Sequence, residues 1–141
     1  MTAELITAEE LVVVRVDGHA YGIPVAAVVE VTRMVALSPP ADSWPWVAGV
    51  ANLRGTAVPV VDLADRLGRA ARAPILERRI VFAGDPADPV GLIVDEVIGV
   101  APAGPAVPGG PTSPLVRHAV RVGPDLVMVL DETAFRVGGD G

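Results

Sequence analysis

Gly49-Val50-Ala51-Asn52-Leu53-Arg54-Gly55-Thr56-Ala57-Val58-Pro59-Val60-Val61-Asp62-Leu63 is the stretch on which the reading of this chain turns. Val47 to Leu53 runs into a turn at Gly55, and Ala57 to Val61 resumes as a strand rich in β-branched valine, whose stiff side chains suit a pleated surface. Asp62 can cap a short helix through about Leu67, which Gly68 closes. Arg54 is the only charged residue between Val47 and Val61. Its guanidinium fork can reach a neighbouring carboxylate or be offered to a partner.

The same strand-and-turn grammar extends both ways. Leu11 to Val16 reads as a strand with Val12, Val14 and Val16 on one face. Asp17-Gly18 is a turn signal and Tyr21 to Val25 a second strand, which together predict a hairpin. Pro24 lacks an N–H, so a sheet edge or bulge is expected there. Ala26 to Thr32 suits a short helix or a strand equally. Ser38 to Pro45 is a loop leading into Trp44-Pro45-Trp46, and Arg69 to Glu77 is a connector. Arg79 to Ala83 and Val90 to Val100 read as strands joined through Asp85-Pro86. Ala101 to Pro114 is too rich in Pro and Gly for regular structure. Leu115 to Val122 and Leu126 to Leu130 supply the last strands, and Asp131 to Phe135 a closing helical turn. Many short strands without a βαβ rhythm indicate an all-β barrel or sandwich.

Composition narrows the function. Apolar residues make up 51% of the 141, enough for a core, yet aromatics are only 4%. The formal charge of −6 repels phosphate, which argues against nucleic acid and anionic membrane as partners. All 11 basic residues are Arg, as a GC-rich coding bias would produce. The absence of Cys removes disulfides and thiolate chemistry and agrees with a cytoplasmic home. Met1 to Glu10 carries acids rather than a basic region and an apolar run, so no signal peptide is read there.

Candidate chemistry is sparse. Asp62, Asp95 and Asp131 each end an apolar strand, where carboxylates routinely cap helices and form turns. A carboxylate-based hydrolase would instead need two of them within about 5–10 Å in a cleft. His19 and His118 have no second ligand at metal spacing, so no metal site is expected. No cofactor motif is present, and Gly109-Gly110 is followed by Pro111, which lacks an N–H that a phosphate would need. Trp44 and Trp46, the only two Trp, suit a binding anchor or a lid over a barrel mouth.

Read together, Gly49 to Gly55 and Val58-Pro59-Val60-Val61-Asp62-Leu63 resemble the signature of the CheW-like domain family, G-x-x-N-L-R-G followed by an apolar P-x-x-D-L segment. Tyr21-Gly22-Ile23-Pro24-Val25, Val28-Val29-Glu30-Val31, Trp46 to Gly49, Val90 to Val97 and Val129-Leu130-Asp131 resemble further family segments in the same order. The similarity runs from about Leu11 to Phe135. It implies two small five-stranded β-barrels side by side, with short helical segments and the first strand crossing into the second lobe. The expected organisation is one domain over 1–137, with lobe one about 17–79, lobe two about 9–16 plus 80–137, and a flexible tail at 138–141.

The resemblance also implies a role: a bacterial signalling adaptor, with no active site of its own, that couples the cytoplasmic tips of methyl-accepting chemoreceptors to the regulatory domain of the histidine kinase CheA. It would sit in the cytoplasm, recruited to membrane-associated receptor arrays. A scaffold of a non-chemotactic kinase pathway, for motility or development, is the alternative. Val28, Glu30, Gly49, Asn52, Leu53 and Arg54 fall at or near the implied receptor-binding groove, with Glu30 and Arg54 expected to pair. Val90, Leu92 and Val94, with the 101–114 loop, are the candidates for the kinase contact. The Pro-packed loop lacks an aromatic residue, and Leu115 to Val122 lacks the glycine usual in the family strand. Both departures fall in the second lobe.

Overall fold

The computed structural model describes residues 9–40, 46–109 and 113–136. Eleven strands dominate: β1 (Glu10–Val16), β2 (His19–Pro24), β3 (Val28–Arg33), β4 (Val47–Leu53), β5 (Thr56–Asp62), β6 (Arg79–Asp85), β7 (Asp88–Val94), β8 (Glu96–Pro102), β9 (Ala106–Val107), β10 (Val116–Val122) and β11 (Asp125–Leu130). One short helix, α1 (Leu63–Arg66), follows β5, and 3₁₀ turns occupy Val25–Ala27, Ile75–Glu77 and Glu132–Phe135. Local chemistry accounts for the tightest turns. Asp17-Gly18 and Arg54-Gly55 are two-residue hairpin connections with all four φ angles positive. Such turns match the twist of their flanking strands. Asp62 caps α1 by accepting from Asp65 N at 3.3 Å, and Asp131 caps the last 3₁₀ turn through Thr133 N at 3.0 Å.

The strands form two sheets. The six-stranded one runs β8-β1-β2-β11-β10-β9, and the five-stranded one β3-β6-β7-β5-β4. Most neighbours are antiparallel; β11 pairs with β2, and β5 with β7, in parallel. Among the described residues neither sheet is closed by a strand ladder. In the six-stranded sheet the edge strands β8 and β9 are consecutive in the chain. The link between them is tied to both neighbours, Ala103 N donating to Glu9 O at 2.7 Å and Gly104 N to Arg121 O at 2.8 Å.

Three apolar clusters explain why the valine strands carry so few polar residues. Leu11, Val13, Ala20, Val120, Val127 and Val129 pack together within the six-stranded sheet. Ala51, Val58, Val60, Ile80, Phe82 and Ile93 do the same for the five-stranded sheet. Between the two lies the largest cluster, where Val12, Val14, Val16, Tyr21 and Ile23 meet Val61, Val81, Leu92 and Val94. Alternate residues of β1 therefore enter different cores, and the strand is buried on both faces.

Several expectations are corrected. The division into 17–79 and 9–16 plus 80–137 does not follow the sheets. β2 pairs along the whole of β1, so the hairpin cannot be split between lobes, while β6 and β7 join β3 and β5. The chain leaves the six-stranded sheet after Pro24 and returns at Glu96. β1 lies in that sheet between β2 and β8. The single strand read over Val90 to Val100 is two strands in different sheets, broken at Asp95. Ala26 to Thr32 is both a 3₁₀ turn and a strand, and the Pro-rich 101–114 stretch contains β9. Pro24 ends β2 beyond the Ala20–Gly22 segment that pairs with β11, so its missing N–H interrupts no ladder there. The expected tail at 138–141 lies outside the described residues.

Candidate functional site

The β4–β5 hairpin and β3 approach each other at the rim of the five-stranded sheet and leave an open cleft of about 430 Å³. Val29, Glu30, Leu53 and Arg54 line it, joined by Pro86 from the turn between β6 and β7 and by Pro89 at the start of β7. Arg54 spans the cleft to Glu30, with Nη2 3.0 Å and Nε 3.2 Å from Oε1. The Arg54 side chain remains 81% exposed, so the pair is formed and still presented to solvent. Its backbone is unusual for a non-glycine residue, with φ +53°. That left-handed conformation is strained for any residue bearing a Cβ, and strain of this kind gathers at binding and switch sites.

The other residues placed at the groove by the family resemblance have supporting positions. Asn52 Oδ1 accepts from Gly55 N at 2.8 Å, which locks the turn presenting Arg54. Gly49 admits the incoming 37–38 segment: a Cβ there would lie 2.6 Å from Ser38 O and 2.8 Å from Leu37 Cβ. Ser38 and Val50 exchange two backbone hydrogen bonds of 2.8 Å across this contact. Val28 packs, half-buried, against the core between the sheets. Glu30, Leu53 and Arg54 are thus the residues of the six that face the cleft. Nothing in the sequence pointed to Pro86 and Pro89 at the cleft; the Asp85-Pro86 turn was legible, but its approach to Arg54 was not.

Val90, Leu92 and Val94 cannot serve as a contact surface. They are 6%, 0% and 1% exposed, all in the cluster between the sheets. β7 is paired on both sides, by β6 and β5, so an apolar strand there is core rather than interface.

The three strand-ending aspartates are occupied by backbone N–H groups. Asp62 and Asp131 cap helical turns, as described. Asp95, 9% exposed, accepts from Asp17 N at 2.9 Å, from Arg72 N at 3.0 Å and from Ala73 N at 3.0 Å. It therefore ties the β1–β2 turn to the 69–77 connector at the point where the chain changes sheets. Burial alone would raise its pKa, but those N–H groups and the nearby Arg78 guanidinium outweigh it and hold the carboxyl below its ordinary value. Among the described residues no group of three His, Asp or Glu side chains is placed to hold a metal.

Trp46 lies half-buried against the central core with the Arg66 guanidinium 4.2 Å from its ring centroid. Arg66 Nη2 reaches on to Thr133 O at 3.1 Å. Arg66 thus joins the residue just before β4 to α1 and the last turn, with a cation–π contact on the Trp46 ring. Trp44 lies outside the described residues.

Two sheets that bury their apolar faces, with an open, ion-paired cleft on one rim, define an all-β two-sheet domain. The chain belongs to the CheW-like domain family, whose model matches residues 10–135. It is 36% identical over 96 residues to the chemotaxis protein CheW of Bacillus subtilis (strain 168), a match covering 68% of this chain and 62% of that protein. It is 35% identical over 88 residues to the chemotaxis protein CheW of Rhizobium meliloti (strain 1021), covering 62% and 57%. The chain thus spans under two thirds of the length of these relatives. A 56-residue stretch is 45% identical to Protein PilI of Pseudomonas aeruginosa, covering 39% of this chain and 31% of that protein. The fold is similar to the crystal structure of the scaffolding protein TtCheW from Thermoanaerobacter tengcongensis, with TM-score 0.81 and 25% identity over 96% of this chain and 92% of that one. No helix among the described residues is long and apolar enough to cross a membrane.

Proposed function

We propose that the chain is a signalling adaptor of the chemotaxis type, which couples the cytoplasmic tips of chemoreceptors to the histidine kinase CheA and is recruited to receptor arrays by that contact. The observation that carries this reading is the Glu30–Arg54 pair, held across an open cleft by a strained turn inside the family signature. A rigid hairpin presents a charged fork beside apolar Val29 and Leu53, which suits an apolar helix with polar flanks laid along the rim. The kinase contact uses a separate surface, since Val90, Leu92 and Val94 are buried.

The test is co-sedimentation of the full chain with receptor cytoplasmic fragments and with the CheA regulatory domain. Wild type is expected to sediment with both. Arg54→Glu is expected to lose the receptor fragment by about ten-fold in affinity while keeping the kinase domain. Failure of the wild type to bind either partner overturns the adaptor reading. A scaffold of a different kinase pathway is the second reading, favoured by the match to Protein PilI, a relative whose name is not a chemotaxis name. Preference for a kinase domain from such a pathway over that of CheA would select it.

A further inference from the structure

Arg33 closes β3 and Arg79 opens β6, and the two are direct cross-strand partners. Like charges facing each other across a ladder repel. Among the described residues neither is ion-paired to a carboxylate. Arg15, Arg66 and Arg121 share that state but have no like charge as their cross-strand partner, while Arg54, Arg69, Arg72, Arg78, Arg117 and Arg136 are ion-paired. Arg79 Nη1 donates instead to the carbonyls of Glu77 and Arg78 at 3.1 and 3.2 Å. In a chain of net charge −6, two cations set opposite each other on a ladder without an ion pair mark a locally positive spot.

Beside them stands Leu76, 83% exposed, with Ile75 at 50%. The 3₁₀ turn that carries both is pinned rather than loose. Glu77 N donates to Pro74 O at 2.8 Å, Arg78 Nε to Ala73 O at 2.8 Å, and Ala73 N to the buried Asp95. The backbone therefore imposes the exposure of Leu76. Arg33, Leu76, Glu77 and Arg79 line one open recess of about 300 Å³, and Val31, two residues before Arg33, is also exposed. Glu77 is the one carboxylate lining the recess.

We propose that this recess is a docking site for an acidic segment of a partner protein, one carrying carboxylates on either side of a bulky apolar residue. Two guanidinium forks side by side match a pair of carboxylates, and charge-assisted bonds to them relieve the repulsion between Arg33 and Arg79. The apolar residue of the segment covers Leu76 and the open half of Ile75, which the described residues leave exposed. A protein segment fits better than an anionic membrane, because the remaining surface of a −6 chain is repelled by a lipid headgroup layer. The site is separate from the Glu30–Arg54 cleft and does not depend on that reading.

The test is a titration of the isotopically labelled full chain, followed by amide NMR shifts. The probes are a short synthetic peptide with Glu flanking a central Leu pair, and its Lys counterpart. The Glu peptide is expected to move the amides of Val31 to Arg33 and Ile75 to Arg79, saturably, and the Lys peptide to leave them unmoved. Arg33→Ser with Arg79→Ser is expected to weaken binding at least about ten-fold, Leu76→Ser several-fold, and Arg54→Glu not at all. Arg33, Arg54 and Leu76 are exposed and Arg79 is half-buried, and an unchanged Tm confirms that each variant folds; the Arg33→Ser single variant serves if the double one does not. Shifts centred elsewhere, equal affinity in the Arg variants, or no saturable binding overturn the proposal. Binding to vesicles of anionic lipid, lost in the same variants, would overturn it in favour of a membrane contact.

Discussion

Arg54 and Glu30 meet through a single oxygen: Nη2 and Nε both converge on Oε1, at 3.0 and 3.2 Å. This is not the parallel two-bond fork that makes Arg–carboxylate pairs strong. With Arg54 81% exposed, solvent screens the pair further. Its contribution to folding is therefore small, and its value lies in how the fork is held. Arg54→Ala is expected to change unfolding free energy by less than about 1 kcal/mol. Chemical denaturation of wild type and variant checks this, and a large loss of stability would show the pair to be structural.

The strain at Arg54 predicts a trade-off. A two-residue hairpin turn with positive φ at both positions favours Asn-Gly, and Arg is held there at φ +53°. Arg54→Asn is expected to stabilise the protein by roughly 0.5–1 kcal/mol while weakening partner binding at the cleft. Thermal unfolding and binding measured on the same variant decide the matter; a lower Tm would remove the argument.

Asp95 gives the protein an acid-sensitive joint. Its folded-state pKa lies below the ordinary 3.8, so the stability it adds is fully present above that value and is lost as pH falls through the lower folded value. Asp95→Asn leaves one carbonyl oxygen where three N–H groups converge. It is expected to cost about 1–3 kcal/mol at neutral pH and to flatten the acid limb of the Tm profile. An unchanged acid limb would mean other carboxylates dominate it.

Gly49→Ala separates packing from recognition. The added Cβ would sit 2.6 Å from Ser38 O, so the 37–38 segment must shift and both hydrogen bonds to Val50 weaken. A loss of about 1–3 kcal/mol is expected, with faster amide exchange at Ser38 and Val50. Retained protection at both amides would contradict the close approach seen here.

Leu92→Ala tests the reassignment of β7 from interface to core. Leu92 is fully buried between the sheets, so its truncation is expected to cost about 2–5 kcal/mol. Kinase-domain affinity of the folded fraction should stay near wild type. Weaker binding without loss of stability would restore β7 to the contact surface.

Sequence alone determined what depends on neighbours along the chain. The turns at Asp17-Gly18 and Arg54-Gly55, the caps at Asp62 and Asp131 and the alternating valines of β1 all rest on local dihedral preference or hydrogen bonding. The family signature around Asn52-Leu53-Arg54-Gly55 was equally legible, and with it the expectation that Arg54 meets Glu30. Tertiary structure decided which sheet each strand joins. A run of valines buried on both faces shows no alternation to say which core it enters, so Val90 to Val100 looked like one strand. Only the three N–H groups gathered on Asp95 break it in two. The same uniform burial made Val90, Leu92 and Val94 resemble a sticky face when they are core. The recess at Arg33, Leu76 and Arg79 could not be seen at all, because strand register brings together two arginines 46 positions apart in the chain.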